Sequence, residues 1–189
     1  MTRIIGGTAG GRRLKTPRGD STRPTSDRVR EALFSSIDAW LGSIVGLRFL
    51  DLYAGSGAVG LEARSRGAGV VTLVEHDNRT AALIRDNIKT LGFTGVDVLA
   101  STVARAISAP ARAPYDVVFI DPPYALPTEE VTRVLEGLQT GSWVSPGAMV
   151  IVERSGRDGD FPWPGGYTSH RCKRYGETCL WYGHAAVPT

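Results

Sequence analysis

Between residues 47 and 154 the apolar and polar positions repeat in two alternating patterns. The runs "LRFLDLY", "VVTLVE", "VDVLA", "YDVVFI" and "AMVIVER" are short and almost continuously apolar. Such runs mark strands covered on both faces. Between them lie "AVGLEARSRG", closed by Gly67, "NRTAALIRDNIKTLG", closed by Gly92, a short segment from Thr102 to Ser108, and "TEEVTRVLEGL". These carry apolar residues at helical spacing. Strand and helix in alternation predict an α/β fold with a doubly wound, mostly parallel sheet. The pattern then changes. "TSHRCKRY" and "TCLWYG" are β-rich runs around Gly176-Glu177, which predicts a C-terminal antiparallel hairpin and seven strands in all. The segment "SGRDGDFPWPGGY" reads as the least regular part of the body.

Upstream, Val29, Ala32, Leu33, Ile37, Trp40 and Leu41 share one face of a helix. Thr25 or Ser26 can cap it, with Asp27 where the helix dipole favours an acid. Residues 1–24 are rich in glycine, and "RII" and "RRLKT" can pair as a small hairpin across the glycines. With few apolar residues of its own, this stretch reads as an extension to a body spanning 25–189.

Charge sharpens that division. The chain of 189 residues carries a net charge of +3. Residues 1–40 hold eight basic and four acidic residues, while the remaining 149 sum to −1. Arg3, Arg12, Arg13, Lys15, Arg18, Arg23 and Arg28 make the N-terminus a candidate surface for a polyanion such as RNA, against the plainer reading of a solvated tail. The apolar fraction is 42% and the charged fraction 22%, as in ordinary globular proteins. No run is apolar enough to cross a membrane, and "MTRIIGGTAGGRRLK" lacks the apolar centre of a signal peptide, so a cytoplasmic protein is expected. Cys172 and Cys179 can meet across the hairpin, where a cytoplasmic pair stays reduced. No C-x-x-C spacing accompanies them, and no metal site is expected.

Candidate chemistry begins after the first strand, at "DLYAGSGAVG". Gly55, Gly57 and Gly60 form G-x-G-x-x-G between a strand and a helix, where a ligand can approach the main chain. Glu75 ends the second strand about twenty residues on, where a carboxylate can accept both ribose hydroxyls. The plain alternative is a tight turn and a helix-capping acid. Asp51 lies inside the run. An acid there repels a pyrophosphate and suits a cation, so S-adenosylmethionine (SAM) fits better than NAD. The turn residues Tyr53, Ala54, Gly55, Ser56 and Gly57 are the candidate cradle, with Asp51 for the ammonium, directly or through water. Glu75 and His76 follow at the ribose, Ser101 or Thr102 near the adenine, and Asp121 completes the cofactor candidates.

The fourth strand ends in Asp121-Pro122-Pro123-Tyr124. Two prolines have no N–H for a ladder, so the strand stops at Asp121. Doubly wound sheets bind ligands at the carboxyl ends of their strands, which puts Asp121 opposite the methyl group of a SAM held by the first turn. The Asp121 carboxylate and the Pro122 carbonyl can each accept one N–H of an exocyclic amine, and Tyr124 can stack on its base. The plain reading is a proline-rich turn with an exposed tyrosine.

"DPPY" is similar to the (D/N)-P-P-(Y/F/W) signature of amino-directed methyltransferases. "RPTSDRVREALFSSI", "LDLYAGSGAVGLEARSRGA" and "VEHDN" resemble the RsmD family of bacterial 16S rRNA guanine-N2 methyltransferases, and the resemblance runs from "GGTAGGRRLKTP" to "RYGETCLWYG". It implies a Rossmann-like fold, SAM as donor, and one guanine of small-subunit rRNA (position 966 in the usual numbering) in an assembling or assembled 30S subunit. A monomer with a basic RNA-binding extension is expected. By position, Asp51, Gly55 and Gly57 match the SAM turn, Glu75 the ribose acid and 121–124 the catalytic loop. One departure is "ASTVA", where relatives usually offer Asp or Asn near the adenine. "DPPY" alone also permits an adenine-N6 or glutamine-N5 methyltransferase, and the fold permits an RNA-binding assembly factor without turnover. Asp51 and "DPPY" disfavour an NAD oxidoreductase.

Overall fold

A computed structural model describes residues 2–19 and 25–189. The elements are β1 (Thr2–Arg3), β2 (Arg13–Leu14), α1 (Asp27–Leu41), β3 (Arg48–Leu52), α2 (Ala58–Ser65), β4 (Val70–Glu75), α3 (Asn78–Leu91), β5 (Val96–Ala100), α4 (Val103–Ala106), β6 (Tyr115–Ile120), α5 (Thr128–Thr140), β7 (Val144–Ser155), β8 (Tyr167–Tyr175) and β9 (Thr178–Ala185). Seven strands form one sheet in the order β5-β4-β3-β6-β7-β9-β8, and β1 pairs with β2 apart from it. This is the expected α/β architecture, mostly parallel with an antiparallel end. The chain divides into two compact units, Met1–Thr102 and Val103–Thr189.

In the first unit β3 pairs in parallel with β4, and β4 with β5. Phe49, Leu50, Leu52, Val71, Leu73 and Val74 are fully buried, as continuous apolar runs require. β5 departs from this. It is an edge strand, and Asp97, Leu99 and Ala100 are exposed. α1 starts at Ser26, whose hydroxyl accepts the Val29 N–H, with Asp27 in its first turn.

The N-terminal hairpin is not a detached tail. Ile4, Ala9 and Leu14 are buried against Ala58, Leu61 and Leu91 of α2 and α3. Glu62, fully buried on α2, accepts the Ile5 and Gly6 N–H groups and lies 3.4 Å from Arg66. Ser65 accepts the Ala9 N–H and donates to the Gly6 carbonyl. Asn87 of α3 bonds both backbone groups of Lys15. Arg30, 1% exposed on α1, donates to the Arg3 carbonyl and to Asp27. The hairpin's few apolar residues are enough because two helices supply the rest of the core.

In the second unit β6 pairs in parallel with β7, and β9 lies antiparallel to both β7 and β8. α5 buries Val131, Val134, Leu135 and Leu138. The irregular segment 156–166 is packed through its aromatics. Phe161 meets Trp163 edge-on at 5.2 Å, and Trp163 lies 5.8 Å from Tyr167. Cys172 is exposed, Cys179 buried, and both are free thiols. Burial and the bond to Cys179 push the Cys172 thiol up to about 11, which keeps it protonated. Among the described residues no helix is long and apolar enough to cross a membrane.

Candidate active site

The candidate residues fall into two groups, one in each unit. In the first unit the turn after β3 begins at Tyr53, whose φ of 61° is left-handed. That conformation ends the strand one residue before the apolar run does. The Ala54 N–H bonds to the Val74 carbonyl, which fixes the turn to β4. Gly55 also has a positive φ, and nothing lies within 4 Å of where its Cβ would be. The backbone there faces open space, as a ligand-approaching glycine needs. Gly60 serves packing instead, since a Cβ on it would sit 2.6 Å from Leu73 Cδ2.

Glu75 joins the turn to the next helix. Its Oε2 accepts the Gly55 N–H at 2.8 Å and its Oε1 the Asp77 N–H at 3.0 Å. Asp77 in turn caps α3 by accepting the Thr80 N–H. Glu75 is thus pinned at the carboxyl end of β4 with lone pairs to spare. His76 is exposed, its Nδ1 3.3 Å from Glu75 Oε1. Asp51 lies beneath the turn, 1% exposed, and its Oδ2 accepts the Gly60 N–H at 2.9 Å. Burial, reinforced by the Glu75 charge and opposed by the Gly60 bond, pushes its carboxyl up to about 7. The Ser101 N–H bonds to the Glu75 carbonyl, and the Ser101 hydroxyl donates to the Thr102 carbonyl. Thr102 is exposed. Tyr53, Ala54, Gly55, Ser56, Glu75 and Ser101 therefore line one end of the parallel strands β3, β4 and β5.

In the second unit Asp121 follows the last residue of β6 directly. Pro122 is buried, Pro123 exposed, and Tyr124 is 55% exposed. The Leu126 N–H bonds to the Pro123 carbonyl at 2.9 Å, which closes a turn over residues 123–126. The Tyr124 hydroxyl lies 3.3 Å from Thr178 Oγ1 at the start of β9. Arg154, absent from the sequence-based candidates, donates to the Leu126 carbonyl at 2.8 Å and to the Pro123 carbonyl at 3.5 Å. Its only signal in the sequence is a basic residue closing an apolar strand.

The basic candidates differ among themselves. Arg3 pairs with Asp27 at 3.2 Å, and Arg12 donates to the Thr90 carbonyl. Arg13, Lys15, Arg18 and Arg28 are exposed. Arg23 lies outside the described residues.

The family described as "Conserved hypothetical protein 95", the RsmD family, matches residues 2–184. The chain belongs to the RsmD family. It is 39% identical over 176 residues to Ribosomal RNA small subunit methyltransferase D of Escherichia coli (strain K12), covering 93% of this chain and 85% of that protein. The solved structure of yhhF from Escherichia coli is 33% identical, with a TM-score of 0.87 and 99% of each chain covered. SMU.776, solved with SAH, shares the fold at a TM-score of 0.67 with 15% identity, over 84% of this chain and 48% of that one.

Proposed function

We propose that the chain transfers a methyl group from SAM to the exocyclic N2 of a guanine in 16S rRNA, guanine 966 by the family resemblance. The observation that carries the reading is the D-P-P-Y loop at the end of β6, in a chain similar along most of its length to a small-subunit rRNA methyltransferase.

The residues present fit the donor. Open backbone at Gly55 admits a ligand, and Glu75 at the end of β4 offers acceptors to a ribose diol. Asp51 beneath the turn places an acid where a pyrophosphate would be repelled and a cation favoured. When bound, SAM supplies an electrophilic methyl carbon on a sulfonium.

The chain's own part is positioning. A guanine amine is a weak nucleophile because its lone pair is delocalised into the ring. The Asp121 carboxylate and the Pro122 carbonyl each take one of its N–H bonds, which orients the lone pair for in-line attack. Holding reactants this way is a large catalytic term. Methylation would leave the amine nitrogen with a proton to shed, and the Asp121 carboxylate would accept it. The two prolines add no N–H to compete. Tyr124 stacks on the base, worth about 1–3 kcal/mol. Residues 1–24 act as the RNA-binding extension, with Arg13, Lys15, Arg18 and Arg28 on phosphates alongside Arg3, Arg12 and Arg23, and 25–189 as the catalytic body. The substrate is rRNA in an assembling or assembled 30S subunit, met by a monomer in the cytoplasm.

The test is transfer of labelled methyl from SAM by the purified chain to 16S rRNA and to 30S subunits lacking the modification. N2-methylguanosine as the labelled nucleoside is the expected product. Label on adenine N6, on protein, or on nothing overturns the proposal.

A further inference from the structure

A guanidinium buried at the end of β7 is the least explained charge in the second unit. Arg154 is 4% exposed, and Asp158 Oδ2, on a side chain 39% exposed, lies 3.7 Å from its Nε. Burying an ion costs several kcal/mol unless its donors are well used. Its two terminal nitrogens donate to one short stretch of backbone, while Nε makes no hydrogen bond. One terminal nitrogen donates to the Leu126 carbonyl and the other to the Pro123 carbonyl, the two ends of the turn that follows Pro122. A planar guanidinium can span both carbonyls at once, which a lysine ammonium cannot do in the same geometry. The turn has a second tether close by. Tyr124 reaches Thr178, and Thr178 pairs with Ser155, the residue after Arg154. The β7–β9 corner therefore holds the turn from below through Arg154 and from the side through Thr178.

We propose that Arg154 is a positioning residue for methyl transfer. It fixes the turn at 123–126, and with it the direction of the Pro122 carbonyl and the resting place of the Tyr124 ring. This rests on the reading of 121–124 as the amine-binding loop. Apart from Asp121, the candidate cofactor residues lie on or directly after β3, β4 and β5, so the geometry of the turn at 123–126 is separable from donor affinity.

The test uses Arg154→Lys and Arg154→Ala in the full chain, with Asp121→Ala as control. Turnover on rRNA, KM for RNA, SAM affinity and melting temperature are measured for each. Displacing a reacting group by about 1 Å costs up to 10²-fold in rate. Arg154→Lys should lose about tenfold in kcat, and Arg154→Ala more, with SAM affinity and KM for RNA within about twofold of wild type. Guanidinium ion at tens of millimolar should then restore part of the Arg154→Ala rate without raising that of the wild type. A purely structural role predicts no rescue, because guanidinium at that concentration cannot restore lost packing and shifts stability only slightly. If Arg154→Ala does not fold, the kcat of Arg154→Lys decides alone. Wild-type kcat in Arg154→Lys beside an inactive Asp121→Ala overturns the role of Arg154. An active Asp121→Ala instead overturns the reading of the loop on which it rests.

Discussion

Replacing Glu75 with Gln separates what this residue does for the fold from what it does for the donor. Its two carboxylate oxygens accept the Gly55 and Asp77 N–H groups at 2.8 and 3.0 Å, and the side chain is 7% exposed. A glutamine keeps one acceptor oxygen, but its NH2 group must face the other backbone donor. One charge-assisted bond is lost, about 1.5–3 kcal/mol, and a buried N–H is left without an acceptor. For a chain of 150–250 residues that is about 3–12 °C in melting temperature. The donor loses separately. A ribose diol that gives two hydrogens to the carboxylate retains at most one acceptor, again about 1.5–3 kcal/mol, or about 10- to 150-fold in Kd. Calorimetric titration with SAM and a thermal melt, both on the full chain, measure the two losses. A variant that melts below wild type yet binds SAM normally would confine Glu75 to bracing the turn and refute its ribose role.

Four further outcomes follow from the same geometry. Asp121→Ala should cut turnover by about 10²-fold while leaving SAM affinity intact, as single-turnover kinetics and calorimetry would show; near-normal activity removes Asp121 from the chemistry. Asp51, raised from 3.8 to about 7, binds its proton more tightly folded than unfolded, so its contribution to stability is full below about pH 4 and is lost as pH rises through about 7. Asp51→Asn should therefore flatten the stability profile between about pH 4 and 7, and in the wild type SAM should bind more tightly as pH rises through about 7 and the carboxylate ionises. Gly7→Ala, at a φ of 78° and with its Cβ 2.0 Å from the Ser65 carbonyl oxygen, should lift the hairpin from α2 and cost at least about 1–2 kcal/mol by melting. Neutralising Arg13, Lys15 and Arg18 should weaken RNA binding and lower its salt slope by about one per lost phosphate contact, measured at several salt concentrations; an unchanged slope makes them ordinary surface residues.

The parts of the fold legible in the sequence were those set by local pattern. β4 and β6 begin and end where their apolar runs do. β3 stops at Leu52 rather than Tyr53 because a left-handed φ ends it, and an aromatic residue gives no warning of that. β7 begins at Val144, before the run "AMVIVER", and passes through Ser145-Pro146-Gly147. A register shift between Tyr115 and Val117 marks an irregularity in the β6–β7 ladder, where a proline is tolerated. The hairpin at 2–14 was visible as a hairpin but not as part of a core, because Leu61 and Leu91, which cover it, lie far along the chain. Removing it would strip those residues and leave Glu62 buried without its backbone donors, so surface neutralisation is the cleaner test of RNA binding. The candidate site was legible where backbone chemistry dictates residue type, at the glycine turn and the paired prolines. Arg154 was not, because nothing local says that a strand-ending arginine turns inward to hold a loop 28 residues away.

The most direct test of methyl transfer to a guanine N2 is mass spectrometry of 16S rRNA nucleosides from three cell lines. One carries the intact gene, one lacks it, and one carries the Asp121→Ala form in its place. One N2-methylguanosine per 16S rRNA present in the first and missing from the second and third is the predicted result. The same nucleosides in all three, or a loss confined to a methylated adenine, would contradict it.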